Sequence, residues 1–288
     1  MSLAVRVNAW YRAHARELPW REEPAPTPWE ALVLEVMLQQ TPVARVLGPW
    51  REWVTRWPTP AAMAAADPGD VIRAWGRLGY PRRALRLREA AQAIVDRHGG
   101  VVPSTVEALA ALPGIGPYTS AAVAAFTFGR RVVVLDTNVR RVLARALGGE
   151  ALPPPSPRAA EWARAEAALP ADVAESVTWN MAAMELGALV CTARSPACGD
   201  CPIAGDCAWR RAGYPPDPHS AARKPQAWTG SDRQARGALM AALRDSPSGL
   251  AETALLARWP DEAQARRALE SLIADGLARR TAAHVTLP

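Results

Sequence analysis

Two carboxylates and four cysteines are the residues of this chain whose setting asks for chemistry. Glu35 lies in Leu34-Glu-Val-Met-Leu-Gln-Gln-Thr41, late in a helical run from Trp29 that is apolar at Ala31, Leu32, Val33, Leu34, Val36, Met37 and Leu38. Burying a charge there is expensive. With 3.6 residues per turn Glu30 stands about 140° away round the helix, so Glu30 can take the solvent face while Glu35 points elsewhere. Burial favours the protonated carboxyl, which suits a general acid. Asp136, in Leu135-Asp-Thr-Asn-Val139, precedes a helix expected over 140–147. N-capping is its plain role. An aspartate at a helix start is also expected to keep a low pKa and stay negative. Two carboxyl groups in divergent environments are what a proton donor and an oxocarbenium stabiliser require.

The cysteines run Cys191-x6-Cys198-x2-Cys201-x5-Cys207. Structural zinc sites pair their cysteines as two close couples. One couple flanked by single cysteines at uneven distances fits thiolates around an iron–sulfur cube better, with a zinc knuckle as the alternative. The clustering argues for a metal centre over disulfides. Arg194, Arg210 and Arg211 lie in or beside this loop. In Leu112-Pro-Gly-Ile-Gly-Pro-Tyr-Thr119, Gly114 and Gly116 stand two apart before a small-residue helix. Such a turn aims backbone N–H groups and a helix N-terminus at a phosphate; an ordinary helix connection is the alternative.

Positioning these residues requires a sizeable scaffold, and 288 residues with 49% hydrophobic content supply it, in two or three domains. Residues 1–208 read as successive amphipathic helices broken by proline and glycine, so the expected class is all-α. Val132-Val-Val-Leu135 is short enough to be a buried connector, and Pro153-Pro-Pro-Ser-Pro157 a stiff loop. The expected division is a core over 1–212 with its cluster loop at 191–207, a proline-rich linker over 213–232, and a small domain over 233–288. That last stretch suggests helices at 233–245, 251–258 and 261–276 and a loose hairpin at 277–287, the order of a winged helix. A net charge of +6 and a pI near 9.7 favour a polyanionic partner. No apolar run approaches a membrane span and no signal-peptide core follows the N-terminus, so a cytoplasmic protein associated with the nucleoid is expected. Lys224, in the linker, is the only lysine.

Taken together, LPW, EVMLQQTPV, WGRLGY, LPGIGPYTSAA, LDTNVRRVLAR, MELGALVC and the cysteine run resemble the adenine DNA glycosylase family, in order, over about residues 8–215. The resemblance implies a helix-hairpin-helix glycosylase fold of two helical domains with a DNA cleft between them. It also implies a 4Fe–4S cluster on Cys191, Cys198, Cys201 and Cys207, and monofunctional removal of adenine mispaired with 8-oxoguanine or guanine. By the same resemblance Glu35 is the catalytic acid and Asp136 the second carboxylate, with Tyr118 and Asn138 lining their site. Gly114, Gly116, Tyr118 and Thr119 belong to the phosphate-binding hairpin. Gln40, Thr41, Leu78 and Tyr80 match wedge elements beside the orphaned guanine, with loop packing as the alternative, and Trp20 and Arg21 match the base-pocket entrance. The expected partner is double-stranded DNA carrying an adenine mispair, bound by a monomer.

Two departures stand out. Met181 occupies a position where the family often has Gln or Glu. Residues 233–288 are too short for the hydrolase-like C-terminal domain of many members and resemble the short tail of actinobacterial ones. Arg266, Arg267, Arg279 and Arg280 give that tail an expected backbone-contact role on DNA, against a solvated arginine face. An endonuclease III-like enzyme acting on oxidised pyrimidines needs an amine nucleophile, and its hairpin carries lysine where this chain has Tyr118. A non-catalytic DNA-binding iron–sulfur protein needs neither Glu35 nor Asp136.

Overall fold

In a computed structural model the described residues are 1–222, 228–282 and 284–288; Lys224 lies outside them. The chain runs through α1 (Leu3–His14), α2 (Pro28–Leu38), α3 (Val43–Arg56), α4 (Pro60–Ala64), α5 (Pro68–Trp75), α6 (Arg82–His98), α7 (Val106–Ala110) and α8 (Pro117–Phe128). It continues through α9 (Thr137–Ala146), α10 (Ala159–Ala168), α11 (Val173–Leu189), α12 (Ala208–Arg211), α13 (Asp232–Arg244), α14 (Glu252–Leu256) and α15 (Glu262–Ala274). Among the described residues the one sheet is the antiparallel pairing of β1 (Arg279–Arg280) with β2 (Val285–Thr286). No described helix is long and apolar enough to cross a membrane. The all-α class therefore holds.

Two compact units divide the chain, and not in linear order. The first takes Met1–Pro28, Ser104–Ala110 and the chain from Gly116 to the linker; the second takes Trp29–Pro103, Ala111–Ile115 and the tail. In the first, α11 is the hub. Its Trp179, Ala182, Ala183 and Leu186 pack with Val7 and Tyr11 of α1 and Val139, Val142 and Leu143 of α9. The connector 132–135 forms no strand, yet Val133, Val134 and Leu135 are buried. Buried backbone needs partners, and Asn180 of α11 provides them. Its Oδ1 accepts from the Val134 N–H at 3.2 Å and its Nδ2 donates to the Val132 carbonyl at 2.8 Å. One amide side chain thus replaces a strand neighbour and fixes where Asp136 emerges. Helix α9 then starts a turn earlier than Arg140, because Asp136 Oδ1 caps it by accepting from the Val139 N–H at 2.6 Å. A methyl group on Gly187 would lie 2.6 Å from Asn138 Cβ, so α11 meets the start of α9 at a residue that cannot carry a side chain.

In the second unit α2 is buried on nearly every face, through Trp29, Leu32, Val33, Leu34, Val36 and Met37. Trp53 packs edge-on against Trp57 and Trp75, with centroids 5.0 and 5.2 Å apart. The tail belongs to this unit. Leu239, Leu243, Leu255, Leu269, Leu272 and Val285 share one cluster with Ile72 of α5, and Leu85 of α6 packs against it. The helices fall within two residues of their expected positions, followed by the strand pairing and a bridge from Leu250 to Val285.

Candidate functional site

Glu35 is 8% exposed, inside a helix with apolar neighbours on both sides. Where α2 ends, its carbonyls turn toward Arg83 of α6. The guanidinium donates to Val36 O (2.9 Å), Met37 O (3.1 Å) and Gln39 O (2.6 Å), and across to Thr41 Oγ1 (3.0 Å), Leu78 O (3.2 Å) and Gly79 O (3.0 Å). It also stands over the Trp75 ring at 4.9 Å. Burial lowers its pKa to about 10, so it remains a cation at neutral pH. One side chain thereby ties the end of the Glu35 helix to the 78–80 loop.

Of the four expected wedge residues, only Gln40 and Tyr80 reach solvent. Both are non-glycine residues held at positive φ, 54° and 47°, a conformation that costs energy and clusters at functional tips. Leu78 and Thr41 are 4% and 7% exposed. They face inward because the loop is anchored through them, Thr41 Oγ1 lying 3.4 Å from Leu78 O. For these two, loop packing is the reading that fits.

In the first unit, Asn138 Nδ2 donates to Asp136 Oδ2 at 2.7 Å, and Arg141 Nη2 donates to Asn138 Oδ1 at 2.8 Å. The same guanidinium reaches Cys191 O through Nε at 2.6 Å. The expectation of a low pKa for Asp136 is corrected here. Burial raises it, and the hydrogen bonds from Val139 and Asn138 and the charge of Arg141 only oppose that rise. Tyr118 packs beside Ala121, Ala122 and Val134, two residues ahead of Asp136 in the same connector. Thr119 is buried, whereas Gly116 heads α8 with nothing within 4 Å of where a Cβ would stand.

Glu185, unremarked in the sequence, is 1% exposed. Arg16 grips it through Nε and Nη2, each at 2.8 Å, and Arg21 adds bonds at 3.2 and 3.1 Å. Burial alone would push this carboxyl up, but the hydrogen bonds from Arg16 and Arg21 bring it down to about 2. Arg21 also lies 5.3 Å from the Tyr11 ring, and the Tyr11 hydroxyl donates to Met181 Sδ at 3.7 Å. Arg21 is therefore committed to a buried ion pair, Met181 turns its sulfur into the core, and Trp20, next to Arg21 in the chain, is half-buried. The pairing was out of reach for sequence reading; its only trace is an acid, Glu185, inside the apolar run Met184–Val190.

All four cysteines line one pocket with Val142, Arg145 and Trp209. A ring of four cysteines is a donor set that suits an iron–sulfur group, and charge balance agrees. Arg145 is 3% exposed and forms no ion pair among the described residues. It donates to the carbonyls of Ala151 (2.8 Å), Thr192 (2.7 Å) and Ala193 (3.0 Å) and reaches Cys191 Sγ at 3.3 Å. A buried cation without a counter-charge is costly. Burial raises the Cys191 thiol and takes that of Cys201 to about 11, so metal coordination is what makes anions here.

Residues 33–165 match the family model of the HhH-GPD superfamily base excision DNA repair proteins, and residues 191–207 match the iron–sulfur binding domain of endonuclease III. The cofactor is accordingly a 4Fe–4S cluster. The chain is 53% identical over 276 residues to an adenine DNA glycosylase of Mycobacterium tuberculosis, covering 95% of this chain and 89% of that protein. It is 50% identical to one from Mycolicibacterium smegmatis, covering 96% and 93%. A solved thermostable thymine-DNA glycosylase superposes with a TM-score of 0.65 at 24% identity, covering 73% of this chain and 95% of that one, and shares the fold.

Proposed function

The chain belongs to the adenine DNA glycosylase family, and from that premise we propose that it excises adenine mispaired with 8-oxoguanine or guanine in double-stranded DNA, as a monofunctional, monomeric hydrolase. The observation that carries this reading is Glu35, a carboxyl 8% exposed within an otherwise apolar helix. Breaking a purine N-glycosidic bond leaves an anionic base and a cationic sugar, so one group must give a proton and another must meet positive charge. Glu35 donates to the leaving adenine. Asp136, whose carboxylate is poorly hydrated, gains most from a cation at the sugar, and Asn138 holds it in register through the 2.7 Å bond. Tyr118, packed against Val134, supports the connector that carries Asp136. The adenine must leave the stack first, at a cost of a few kcal/mol; Tyr80 and Gln40, poised at exposed tips, take up the vacated space.

Cys191, Cys198, Cys201 and Cys207 hold the cluster, which when bound supplies thiolate negative charge beside Arg145. Open space over Gly116 supports its part in phosphate binding, and Gly114 shapes the same hairpin, although the Thr119 side chain is turned inward.

A monofunctional enzyme uses no amine nucleophile, and Tyr118 stands where a lyase would carry lysine. After adenine release strands should therefore stay intact until heated in base, and borohydride should trap negligible enzyme on DNA. Efficient trapping through Lys224 would overturn the proposal.

A further inference from the structure

A cleft of about 930 Å³ lies between α13 and the loop from Gly76 to Arg82, wholly within the second unit. The roles assigned above use only its rim, at Gln40 and Tyr80. Arg45, Arg77, Arg233 and Arg244 line it, and among the described residues none of the four forms an ion pair. The carboxylate inside the cleft, Asp275, is already taken by Arg82 at 3.1 Å and Arg236 at 2.6 Å. Burial lowers the pKa of Arg244, and Arg77 pushes the same way against Asp245. Like charges are thus held together where an anion would relieve them. The arginines that the sequence nominated for this task stand differently. Arg266 pairs with Glu252 and Glu262, and Arg280 with Glu252 and Glu270. The charge of these two is met inside the tail, and the other two, Arg267 and Arg279, do not line the cleft.

The cleft also touches the wedge. Arg233 Nη2 donates to the Tyr80 hydroxyl at 2.7 Å, and its guanidinium stands 5.2 Å from the Tyr80 ring and 5.3 Å from that of Trp228. Both rings are about half exposed, at 47% and 53%. Tail and wedge loop therefore present one continuous basic and aromatic surface.

We infer that this cleft binds the phosphodiester backbone of the DNA strand carrying the orphaned purine, with Arg45, Arg77, Arg233 and Arg244 as its phosphate contacts. The tail is then part of the DNA interface. Guanidinium groups suit this task because each can hold two phosphate oxygens at once. The assignment rests on the proposed role of Tyr80 as the wedge beside that purine.

The test uses the full-length, cluster-loaded protein with Arg45→Ala, Arg77→Ala and Arg233→Ala combined, all three being exposed positions, and Arg267→Ala as a control outside the cleft. Affinity is measured at several salt concentrations on duplexes with A opposite 8-oxoguanine, A opposite G, and full pairing. The triple variant should lose about tenfold or more on every duplex and lower the slope of log K against log salt by about 3, roughly one per lost phosphate contact. The control should stay within about twofold. An unchanged slope, an equal loss in the control, or a loss confined to one mispair would overturn the inference, the last making the cleft a base reader. To place the strand, Arg233→Cys is challenged with duplexes carrying a disulfide-activated tether on one backbone. Capture by the strand opposite the adenine is expected, and capture by the adenine strand alone contradicts it. Adenine release by the unaltered protein is followed in parallel. If release occurs and the triple variant binds normally, this inference alone fails; if release never occurs, the proposed function fails whatever the cleft binds.

Discussion

A carboxyl at position 35 costs stability that a leucine there would not, and the proton donation proposed for it accounts for that cost. Glu35→Gln preserves shape and removes the mobile proton. DNA binding should be retained, while single-turnover adenine release should fall about 10²–10⁴-fold; release at near the original rate would remove Glu35 from the role. Glu185 makes a different case. Its carboxyl is held at about 2 by Arg16 and Arg21, below its usual value, so its stabilisation is fully present above the unfolded pKa and is lost as pH falls through about 2. Glu185→Gln should therefore cost roughly 3 kcal/mol at pH 7, with the gap from the parent narrowing between about pH 4.5 and pH 2. Denaturant melts at the two ends of that window check it, and a pH-independent gap would mean lost packing instead. These two acids also mark what the sequence could disclose. Glu35 was legible because its immediate neighbours are apolar. Glu185 has the same kind of neighbours, but its meaning depends on Arg16 and Arg21, separated from it by 169 and 164 positions, and no local pattern reports contacts at that range. Asp136 was legible as a cap and misjudged as an acid, because its burial is set by elements distant in sequence.

At the scale of elements, periodicity and capping residues located the helices well, since the caps are local. Asp136, Asp172, Ser231 and Asp261 each accept a first-turn N–H. What they could not show was how the elements are joined. Asn180 stands in for a strand beside the 132–135 connector, and Arg83 clasps the end of α2 to the 78–80 loop, each through side chains whose partners lie far along the chain. The glycine hairpin allows a sharper test, because its two glycines differ. Gly114 has φ +76° and a Cβ there would lie 2.6 Å from Arg86 Cβ. Gly114→Ala should cost about 1–3 kcal/mol, read from equilibrium unfolding. Gly116 has φ −91° and open space around it. Gly116→Ala should leave stability within about 0.5 kcal/mol yet weaken DNA binding, because the methyl group occupies the space a phosphate needs. Equal effects of the two substitutions on stability would contradict this division of labour.

For the whole molecule, composition already indicated a polyanionic partner, and the order of motifs indicated the family. The location of the positive charge was hidden. Arginines counted along the tail are partly neutralised by glutamates of the same tail, whereas the four that line the cleft without an ion pair among the described residues come from α3, the 76–82 loop and α13, brought together only by folding. The tail itself read as a module beyond a linker, but its core continues into α5 and α6 through Ile72 and Leu85, a contact that no boundary in composition could reveal. All of this rests on the claim that the protein is an adenine glycosylase acting on mispairs. The most direct measurement is single-turnover base release from otherwise identical duplexes carrying adenine opposite 8-oxoguanine, G, C or T, with an oxidised pyrimidine duplex alongside and Glu35→Gln as the control. Adenine should be released opposite 8-oxoguanine and G, with none opposite T, no oxidised pyrimidine freed, and no release by the Gln variant; release of the pyrimidine, or of adenine irrespective of its partner, would contradict the account.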